Sequence, residues 1–563
     1  QGGARCARRH PVERWQAPSC PSGLVCAMNE ASIQQDRFVH DRLPPADEWP
    51  GIVPIAGVPM SGPLNCVSFL LDRHLDKGGA HRPAFHSVAG TWSYGELAAR
   101  VARLARLMVE DHDIRPGNRV LIRGFNSPAV AAIWLAIEKI GAVAVTTMPL
   151  LRAGELATIL DISRPRLAFC EENIANDLQA AIDAAGSGTQ LVTWAGECGE
   201  PRGASDKPDW FGTAATRADD IALIAFTSGT TGRPKATVHF HRDVLAICET
   251  MCRHVVAPSP ADVFIGTAPL AFTFGLGGLL VFPLHAGASS VLHAAWKPET
   301  LAEAVTRFRA SVCFTVPTFF QRMLRLDNAA TLSQLRLAVS SGEALPLPVR
   351  EAWAGTAGSV LAEVIGSTEM LHAFAGAAGG QVQPGFIGPA IPGYEIAVLD
   401  DEGRPLPPGE LGRLAVRGPT GCRYLADERQ RSYVQHGWNI TGDTCAMDER
   451  GYVAYHTRRD DMIISSGYNI SGLEVENVLL QHPDVAECAV IGEADADRGQ
   501  VVAAYVVAKD GMAGSALEAA LQEHVRQTIA PYKYPRIIRF IDALPRNESG
   551  KVQRFRLRKD VTT

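Results

Sequence analysis

The sequence predicts an α/β fold with a large N-terminal domain and a small C-terminal domain, and three observations lead to this prediction. Strand-like apolar runs alternate with helix-like runs from about residue 90 to residue 340, as in α/β layers around largely parallel sheets. Residues 384–456 change to short β-type segments between Gly and Pro turns, which predicts a β-rich part. A compact αβ unit of roughly a hundred residues follows the Arg-Arg-Asp-Asp run at 458–461.

The individual elements follow from apolar periodicity and from the residues that bound each run. Short apolar runs predict strands at Arg119–Gly124, Ala142–Met148, Arg166–Cys170, Ile221–Phe226, Ala288–Leu292, Val312–Thr315, Leu337–Ser340, Glu487–Ile491 and Val501–Val507. Longer runs with helical spacing predict helices at Ala129–Ile140 (ended by Gly141), Glu155–Ile162, Arg242–Val255, Pro298–Phe308, Leu473–Gln481 and Gly514–Ile529.

One stretch raises the question of a membrane span. Residues 268–296 contain no Asp, Glu, Lys or Arg, and the stretch is long enough to cross a bilayer. Four glycines and Pro283 interrupt it, however. We therefore predict a buried helix near 275–285 and a strand near 288–293, close to a binding pocket.

Length, charge and cysteine usage limit the possible functions. The 563 residues are too many for one hydrophobic core, and the net charge of −6 gives no reason to expect nucleic acid or a membrane as partner. Twelve cysteines without a C-x-x-C pair predict reduced thiols in a cytoplasmic protein. We expect residues 1–27 to be a non-native or disordered leader before Met28, followed by domains at 28–459 (384–459 being β-rich) and 460–563.

The most informative motif is Thr-Ser-Gly-Thr-Thr-Gly-Arg-Pro-Lys at residues 227–235, directly after a predicted strand. Small residues let backbone N–H groups approach a phosphate closely, while hydroxyl groups and a lysine complete the contacts. The spacing differs from that of a Walker A loop. Taken alone, such a loop is most often only a loop, so its meaning depends on the motifs that follow it.

Four further motifs follow in a fixed order: Ser341-Gly342-Glu343, Gly366-Ser367-Thr368-Glu369, Thr441-Gly442-Asp443, and Arg458-Arg459-Asp460-Asp461 with Gly550-Lys551. Singly, Asp443 reads as a turn residue, Glu369 as a helix-start carboxylate and Lys551 as an exposed lysine. Together, in this order and spacing, the motifs resemble the adenylate-forming superfamily of acyl- and aryl-CoA ligases, peptide-synthetase adenylation domains and luciferases. The resemblance covers residues from about 30 to 560.

The resemblance implies a two-step reaction that uses ATP, Mg²⁺ and coenzyme A. A carboxylate attacks the α-phosphate of ATP to give an acyl adenylate and pyrophosphate, and a thiol then displaces AMP. It also implies that the small domain is mobile, with a hinge at Asp460, and that Lys551 bridges the reacting carboxylate and the α-phosphate in the first step. Gly467 would then lie beside the pantetheine tunnel, where a side chain would obstruct the thiol.

The resemblance also assigns roles to the remaining motif residues. The residues implied at the β- and γ-phosphates are Thr227, Ser228, Gly229, Thr230, Thr231, Gly232 and Lys235. Glu369 is implied as the Mg²⁺ ligand, since this cation prefers oxygen, and Thr368 is implied at the α-phosphate. The other nucleotide contacts implied are Gly342, Glu343, Ala344, Gly366, Asp443 (at the ribose) and Arg458. Ile365 departs from the family, which usually has an aromatic residue there.

Three sequence segments indicate which carboxylic acid is the substrate. Residues 148–156, 269–277 and 366–372 resemble the benzoate-CoA ligase branch, and the Ala-Phe-Thr-Phe-Gly-Leu-Gly-Gly version is most similar to 2-aminobenzoate (anthranilate) CoA ligases. The aryl contacts implied are His241, Phe272, Thr273, Phe274, Gly275, Ser340, Ser341, His372 and Ala373. Aromatic side chains suit a planar ring, although core packing is the alternative reading of both phenylalanines.

Alternative functions remain open at this point. The aryl adenylate could be passed to a carrier-protein thiol instead of CoA, or the acid could be benzoate, hydroxybenzoate or another acyl group. A non-catalytic relative is disfavoured because Lys235, Glu369, Asp443 and Lys551 are all present. We expect a monomer or homodimer.

Overall fold

The computed structural model describes residues 32–227, 234–458, 461–465, 468–495, 498–509, 513–529, 533–546 and 551–559. The leader 1–27 therefore lies outside the described residues. Strands and helices are numbered along the chain. In the described part they form four sheets with helices packed on them, a mixed α/β arrangement that agrees with the predicted fold class.

The first sheet has eight strands in the order β14-β13-β12-β11-β9-β10-β1-β2. Its strands are β1 (Pro83–Ser87), β2 (Gly90–Ser93), β9 (Val263–Gly266), β10 (Ser289–Val291), β11 (Val312–Thr315), β12 (Leu337–Ser340), β13 (Val360–Gly366) and β14 (Ala373–Gly376). The inner strands are parallel and the two edge strands antiparallel. The carboxyl ends of β11, β12 and β13 consequently lie at one edge of this sheet, where α/β proteins bind ligands.

The second sheet has six strands in the order β6-β5-β3-β4-β7-β8. Its strands are β3 (Arg119–Arg123), β4 (Val143–Thr147), β5 (Leu167–Glu171), β6 (Gln190–Trp194), β7 (Ile221–Thr227) and β8 (Lys235–Phe240). Only the β7–β8 pair is antiparallel, so these two strands form a hairpin at the edge of the sheet.

The third and fourth sheets are smaller and mostly antiparallel. The β-rich part contains β15 (Glu395–Leu399), β16 (Gly412–Arg417), β17 (Val434–Gln435), β18 (Trp438–Met447) and β19 (Val453–Arg458). The C-terminal sheet contains β20 (Ile463–Ser465), β21 (Tyr468–Ile470), β22 (Val485–Asp495), β23 (Gly499–Ala508) and β24 (Ile537–Phe540).

The helices cover the sheets and form the core between them. They are α1 (Arg73–Asp76), α2 (Tyr94–Arg106), α3 (Pro128–Lys139), α4 (Ala153–Ser163), α5 (Ala175–Ala185), α6 (His241–Ile247), α7 (Thr273–Gly275), α8 (Phe282–Ala286), α9 (Pro298–Phe308), α10 (Pro317–Met323), α11 (Leu347–Thr356), α12 (Gln430–Tyr433), α13 (Gly472–Leu479), α14 (Ser515–Thr528) and α15 (Arg554–Lys559). π-helical turns continue α6 through residues 248–256 and join α7 to α8.

Helix α3 shows how the sequence produces this core. Pro128 occupies its first turn, and the Ser127 side chain caps it by accepting from the Val130 N–H at 3.3 Å. Every residue of α3 is buried, and it packs in the main hydrophobic core with residues of both large sheets. Apart from Glu138 and Lys139 at its end, α3 is apolar on all sides, and such a helix is stable only when it is buried on all sides.

Each predicted strand and helix overlaps an observed element of the same type. The uncharged stretch 268–296 forms α7, the π-helical turn, α8 and β10, as predicted. Among the described residues, no helix has both the length and the apolar character needed to span a bilayer.

Candidate functional site

The first part of the site is the hairpin between β7 and β8. Thr227 ends β7 and pairs with Lys235, which begins β8, so the two ends of the predicted phosphate loop are adjacent. The intervening residues Ser228, Gly229, Thr230, Thr231 and Gly232 lie outside the described residues, and their predicted contacts with phosphate stay predictions.

Lys235 and Glu369 come together through Tyr424, a residue that the sequence analysis did not identify. The Tyr424 hydroxyl donates to Glu369 Oε1 at 2.5 Å and accepts from Lys235 Nζ at 3.3 Å. The Lys235 ammonium also lies 5.1 Å from the centroid of the Tyr424 ring, within the range of a cation–π contact. Burial, followed by the charge of Glu369, raises the pKa of Tyr424, so the hydroxyl keeps its proton. We call these three residues the lysine–tyrosine–glutamate cluster.

A tight turn presents Thr368 and Glu369. The Ser367 side chain caps the turn by accepting from the Met370 N–H at 3.3 Å, and Leu371 after it takes a positive φ of 65°. Gly366 precedes the turn at a close crossing of β13 and β14. A Cβ there would lie 2.5 Å from the His372 carbonyl oxygen, so Gly366 has a packing reason that is independent of any nucleotide.

The Ser341–Ala344 loop follows β12 and is fixed to β13. Ser341 Oγ donates to the Val364 carbonyl at 3.0 Å. Gly342 has a φ of +90°, a conformation that glycine adopts without strain, and Ala344 is half-buried. Glu343 reaches the C-terminal part of the chain, because its Oε1 accepts from Arg546 Nη1 at 3.3 Å.

Lys551 lies close enough to Glu343 for its charge to act on that carboxylate. Burial raises the pKa of Glu343, while the positive charges of Arg546 and Lys551 oppose this rise. The Lys551 side chain is exposed. The fold thus brings together two predicted nucleotide-site residues that are more than two hundred positions apart.

Asp443 lies on β18 and is mostly buried, with Gly442 before it at a φ of +79°. Its backbone pairs with that of Arg458 on β19. The Arg458 side chain, the predicted hinge Asp460 and Gly467 lie outside what the structure describes.

A second cluster surrounds His372, and we call Phe274, Phe282, Phe314 and His372 the aromatic cluster. The His372 ring centroid lies 4.7 Å from that of Phe282 and 5.6 Å from that of Phe274. The Phe274 and Phe314 centroids are 5.3 Å apart. The structure therefore joins two predicted aryl contacts to two phenylalanines that the sequence analysis did not single out.

The hydrogen bonding of His372 and Ser340 is incomplete within the described part of the chain. His372 Nε2 lies 3.4 Å from the Phe274 carbonyl, which can only accept, so Nε2 carries the ring proton. His372 Nδ1 and Ser340 Oγ are buried and have no hydrogen-bond partner within the described part of the chain. Burial lowers the pKa of His372 to about 3, so its ring is neutral at pH 7 and Nδ1 is an acceptor.

Glycines and two polar side chains fix the segment that carries Phe274. A Cβ at Gly277 would lie 2.3 Å from His372 Cδ2, and one at Gly275 would lie 2.1 Å from the Pro269 carbonyl oxygen. Asn126 accepts from the Leu270 N–H at 2.7 Å, and Thr146 donates to the Ala271 carbonyl at 3.0 Å.

The other predicted aryl contacts have less defined roles. Thr273 and Ala373 are buried, and Ala373 lies on β14 opposite Gly366. Phe272 is half-buried and precedes α7, and Ser341 bonds to β13 as described above. These residues stay predictions.

His241 needs a correction. It begins α6, and its Nδ1 accepts from the Cys66 N–H at 3.3 Å and lies 3.6 Å from the Glu138 carboxylate. Glu138 is ten residues along α3 from Pro128, about 15 Å from the end of α3 where Asn126 holds the aryl segment. All three groups are fully buried, and burial lowers the pKa of His241 to about 3. We therefore remove His241 from the predicted substrate contacts.

Comparison with known proteins identifies the family of this chain. Residues 71–424 match a family model described as AMP-binding enzyme, and residues 474–551 match one described as AMP-binding enzyme C-terminal domain. A benzoate–CoA ligase of Thauera aromatica is 34% identical over an alignment of 504 residues that covers 88% of this chain and 95% of that one. A 3-hydroxybenzoate–CoA ligase of Aromatoleum sp. (strain CIB) is 30% identical, with 88% of this chain and 97% of that one covered.

The structural comparison leads to the same family. The crystal structure of the anthranilate CoA ligase AuaEII in complex with anthranoyl-AMP superposes with a TM-score of 0.83 at 30% identity, covering 88% of this chain and 97% of that one. The match to the AMP-binding enzyme model covers more than half of the chain, and the relatives at 30–34% identity are covered almost completely. The chain belongs to the AMP-binding enzymes.

Proposed function

We propose that the protein is an ATP-dependent aryl-CoA ligase whose acid is 2-aminobenzoate or a closely related benzoate. In the first step a carboxylate oxygen bonds to the α-phosphorus of ATP and pyrophosphate leaves. In the second step the CoA sulfur bonds to the acyl carbon and AMP leaves, giving the aryl-CoA thioester. Family membership and the relatives named benzoate–CoA, 3-hydroxybenzoate–CoA and anthranilate CoA ligase support this reaction.

The site residues suit ATP and Mg²⁺. Glu369 offers a buried carboxylate, and Lys235 offers a cation at the end of the predicted phosphate loop. Bound Mg²⁺ would neutralise phosphate charge, with Glu369 as its protein ligand. Lys551 would contact the reacting carboxylate and the α-phosphate, and Asp443 would accept from the ribose hydroxyls.

The observation that carries the substrate proposal is the unpartnered His372 Nδ1 among aromatic rings. A neutral, buried acceptor is satisfied by a substrate that donates a hydrogen bond, and an aryl amine does so while its ring stacks on phenylalanine. Unsubstituted benzoate has no such donor. The acceptor therefore favours 2-aminobenzoate, the acid of the anthranilate CoA ligase, over benzoate.

The predicted domain division supports an alternation between the two steps. We propose that residues 460–563 rotate about Asp460 after adenylation, which moves Lys551 away and admits CoA. We also propose a cytoplasmic location, which the nine free cysteines of the described residues support, because thiols stay reduced there.

The test is pyrophosphate release with ATP and Mg²⁺ against benzoate, 2-aminobenzoate, 2-hydroxybenzoate, 4-hydroxybenzoate, cinnamate and a medium-chain fatty acid, each with and without CoA. We expect the fastest CoA-dependent turnover with 2-aminobenzoate. Turnover that is indifferent to CoA would favour transfer to a carrier-protein thiol. Activity with the fatty acid alone would contradict the aryl assignment.

A further inference from the structure

Tyr424 connects the two halves of the phosphate-binding machinery, although it belongs to none of the sequence motifs. Its hydroxyl lies between Lys235, at the end of the hairpin loop, and Glu369, on the turn after β13. These two elements belong to different sheets and come together only through tertiary structure. The hydroxyl is a donor and an acceptor at the same time: it donates to the Glu369 carboxylate and accepts from the Lys235 ammonium.

The position of Tyr424 is itself fixed on several sides. Its side chain is fully buried, its N–H donates to Gln430 Oε1 at 2.9 Å, and its backbone pairs with Thr237 of β8. The Tyr433 ring packs edge-on against it at 5.6 Å. A side chain held in this way keeps one rotamer, so its hydroxyl defines a fixed point between Lys235 and Glu369.

The turn that carries Glu369 is also held from its other side. Arg423 Nη1 lies 3.2 Å from Asp243 Oδ2, and the same carboxylate oxygen lies 3.7 Å from His239 Nδ1. His239 Nε2 donates to the Thr368 carbonyl at 2.8 Å. The backbone of the turn is therefore anchored without the Tyr424 hydroxyl, so loss of that hydroxyl would affect the carboxylate rather than the turn.

The charges explain why a hydroxyl is useful at this point. Lys235 and Glu369 both approach the same hydroxyl group, and without it their opposite charges would attract each other and form a direct ion pair. In the described part of the chain both charged groups are instead bonded to the Tyr424 hydroxyl, and the hydrogen bond to the Glu369 carboxylate reaches Oε1 rather than Oε2. Tyr424 thus separates the two charges, leaving Oε2 for a divalent cation and the ammonium for phosphate oxygens.

We infer that Tyr424 is a positioning residue that orients Glu369 toward Mg²⁺ and Lys235 toward the phosphates of ATP. This inference rests on the proposed function, since it concerns how the nucleotide and its cation are held. It adds a residue from the segment after β16 to a site otherwise built from β7, β8 and β13. Partners that orient a metal ligand typically change metal affinity or activity by about 10–100-fold when they are removed.

The test replaces Tyr424 with phenylalanine, which keeps the ring beneath Lys235 and removes only the hydroxyl. The control is Tyr94→Phe, because Tyr94 is equally buried and donates to the Ala288 carbonyl at 2.8 Å outside the site. Calorimetry would measure binding of the non-hydrolysed nucleotide α,β-methylene-ATP with Mg²⁺ and with EDTA. Steady-state kinetics would measure the Mg²⁺ concentration that gives half-maximal pyrophosphate release.

We expect Tyr424→Phe to need about tenfold more Mg²⁺ and to lose most of the Mg²⁺-dependent gain in nucleotide affinity. The KM for the aryl acid and the Tm should stay near those of Tyr94→Phe. Unchanged Mg²⁺ dependence in Tyr424→Phe would overturn the inference. So would an equal impairment of the Mg²⁺ requirement, the nucleotide affinity, the KM for the aryl acid and the Tm. If the unmodified protein itself bound no Mg²⁺-nucleotide, the proposed function would fail instead.

Discussion

The lysine–tyrosine–glutamate cluster and the aromatic cluster differ in how their polar groups are hydrogen-bonded. In the first, Lys235 and Glu369 are both hydrogen-bonded to the Tyr424 hydroxyl. In the second, His372 Nδ1 lies among phenylalanines without a partner in the described residues. In the proposed function the first cluster binds phosphate charge in every turnover, and holding its groups in advance lowers the cost of reorganising them. We propose that His372, in the second cluster, distinguishes one acid from another and is left for the substrate to satisfy.

The largest expected effect concerns Lys551, which we propose acts on the same phosphate charge as the lysine–tyrosine–glutamate cluster. Lys551→Ala should lower pyrophosphate release by about 10²–10³-fold, because a cation positioned for the developing charge is lost. Thioester formation from supplied aryl adenylate and CoA should persist, since the lysine acts in the first step only. The two half-reactions would be measured separately by pyrophosphate release and by CoA consumption.

Arg556→Ala is the matched control, because it removes an exposed cation from the same terminal segment. It should leave both half-reactions within about twofold, as surface substitutions away from a site usually do. Equal rates for Lys551→Ala and the control would contradict the proposed mechanism.

The next effect concerns the fit of the aromatic cluster. Gly277→Ala would place a methyl group 2.3 Å from His372 Cδ2 and force the ring to move. A methylene-sized misfit in an apolar pocket is worth about 1–3 kcal/mol of binding free energy, so the KM for the aryl acid should rise roughly 10- to 100-fold. The KM for ATP should change little, because the nucleotide contacts lie elsewhere.

Gly154→Ala on α4 serves as the control, since a Cβ there would meet no atom within 4 Å. If Gly277→Ala raised the KM for ATP as much as that for the acid, the two clusters would not be separable.

A smaller effect concerns selectivity. His372→Leu removes the buried acceptor while keeping an apolar side chain, so the preference for 2-aminobenzoate over benzoate should fall by about tenfold, the value of one buried hydrogen bond. The ratio of kcat/KM values for the two acids measures it. A preference that survives the substitution would assign the amine contact to another group.

The smallest effect compares His372 with His241, two buried histidines whose pKa values are both lowered to about 3. His241→Gln should leave acid selectivity unchanged, because His241 lies against Cys66 and Glu138. Glutamine keeps an acceptor for the Cys66 N–H. A change in selectivity would return His241 to the substrate contacts.

The same variant also changes the dependence of stability on pH. The unfolded histidine binds a proton below about pH 6.5 and the folded one only below about pH 3, so stability falls as pH decreases through this window. The loss is at most about 1.4 kcal/mol per pH unit. His241→Gln should therefore show a shallower fall in Tm between pH 7 and pH 5 than the unmodified protein. Glu138 and Cys66 are present in both proteins, so their titration does not account for the difference.

The sequence predicted the elements whose periodicity is strong, and it predicted them well. Pro298–Phe308, Val312–Thr315 and Leu337–Ser340 match the observed bounds. Helix α2 was missed, although Ser93 and Glu96 form a capping box at its start, a signal that was available. The β13–β14 pair was missed because its residues lie within motifs that were interpreted only for their chemistry.

Motif signals can nominate candidate site residues, but they cannot nominate a residue that tertiary structure alone brings to the site. Lys235, Glu369, Asp443 and Lys551 carry motif signals. Tyr424 carries none, because its role arises from the meeting of β8 with the turn after β13. His241 was misassigned because it lies close in sequence to the β7–β8 hairpin. Only the structure shows that its partner is Glu138, at the far end of α3.

We propose that His372, which is neutral and buried, selects an acid with a hydrogen-bond donor beside its carboxylate. One competition experiment tests it most directly. Equimolar benzoate and 2-aminobenzoate would be supplied with ATP, Mg²⁺ and CoA, and mass spectrometry would measure the ratio of the two CoA thioesters at early times. We predict about tenfold more 2-aminobenzoyl-CoA than benzoyl-CoA. Equal amounts, or an excess of benzoyl-CoA, would contradict the account.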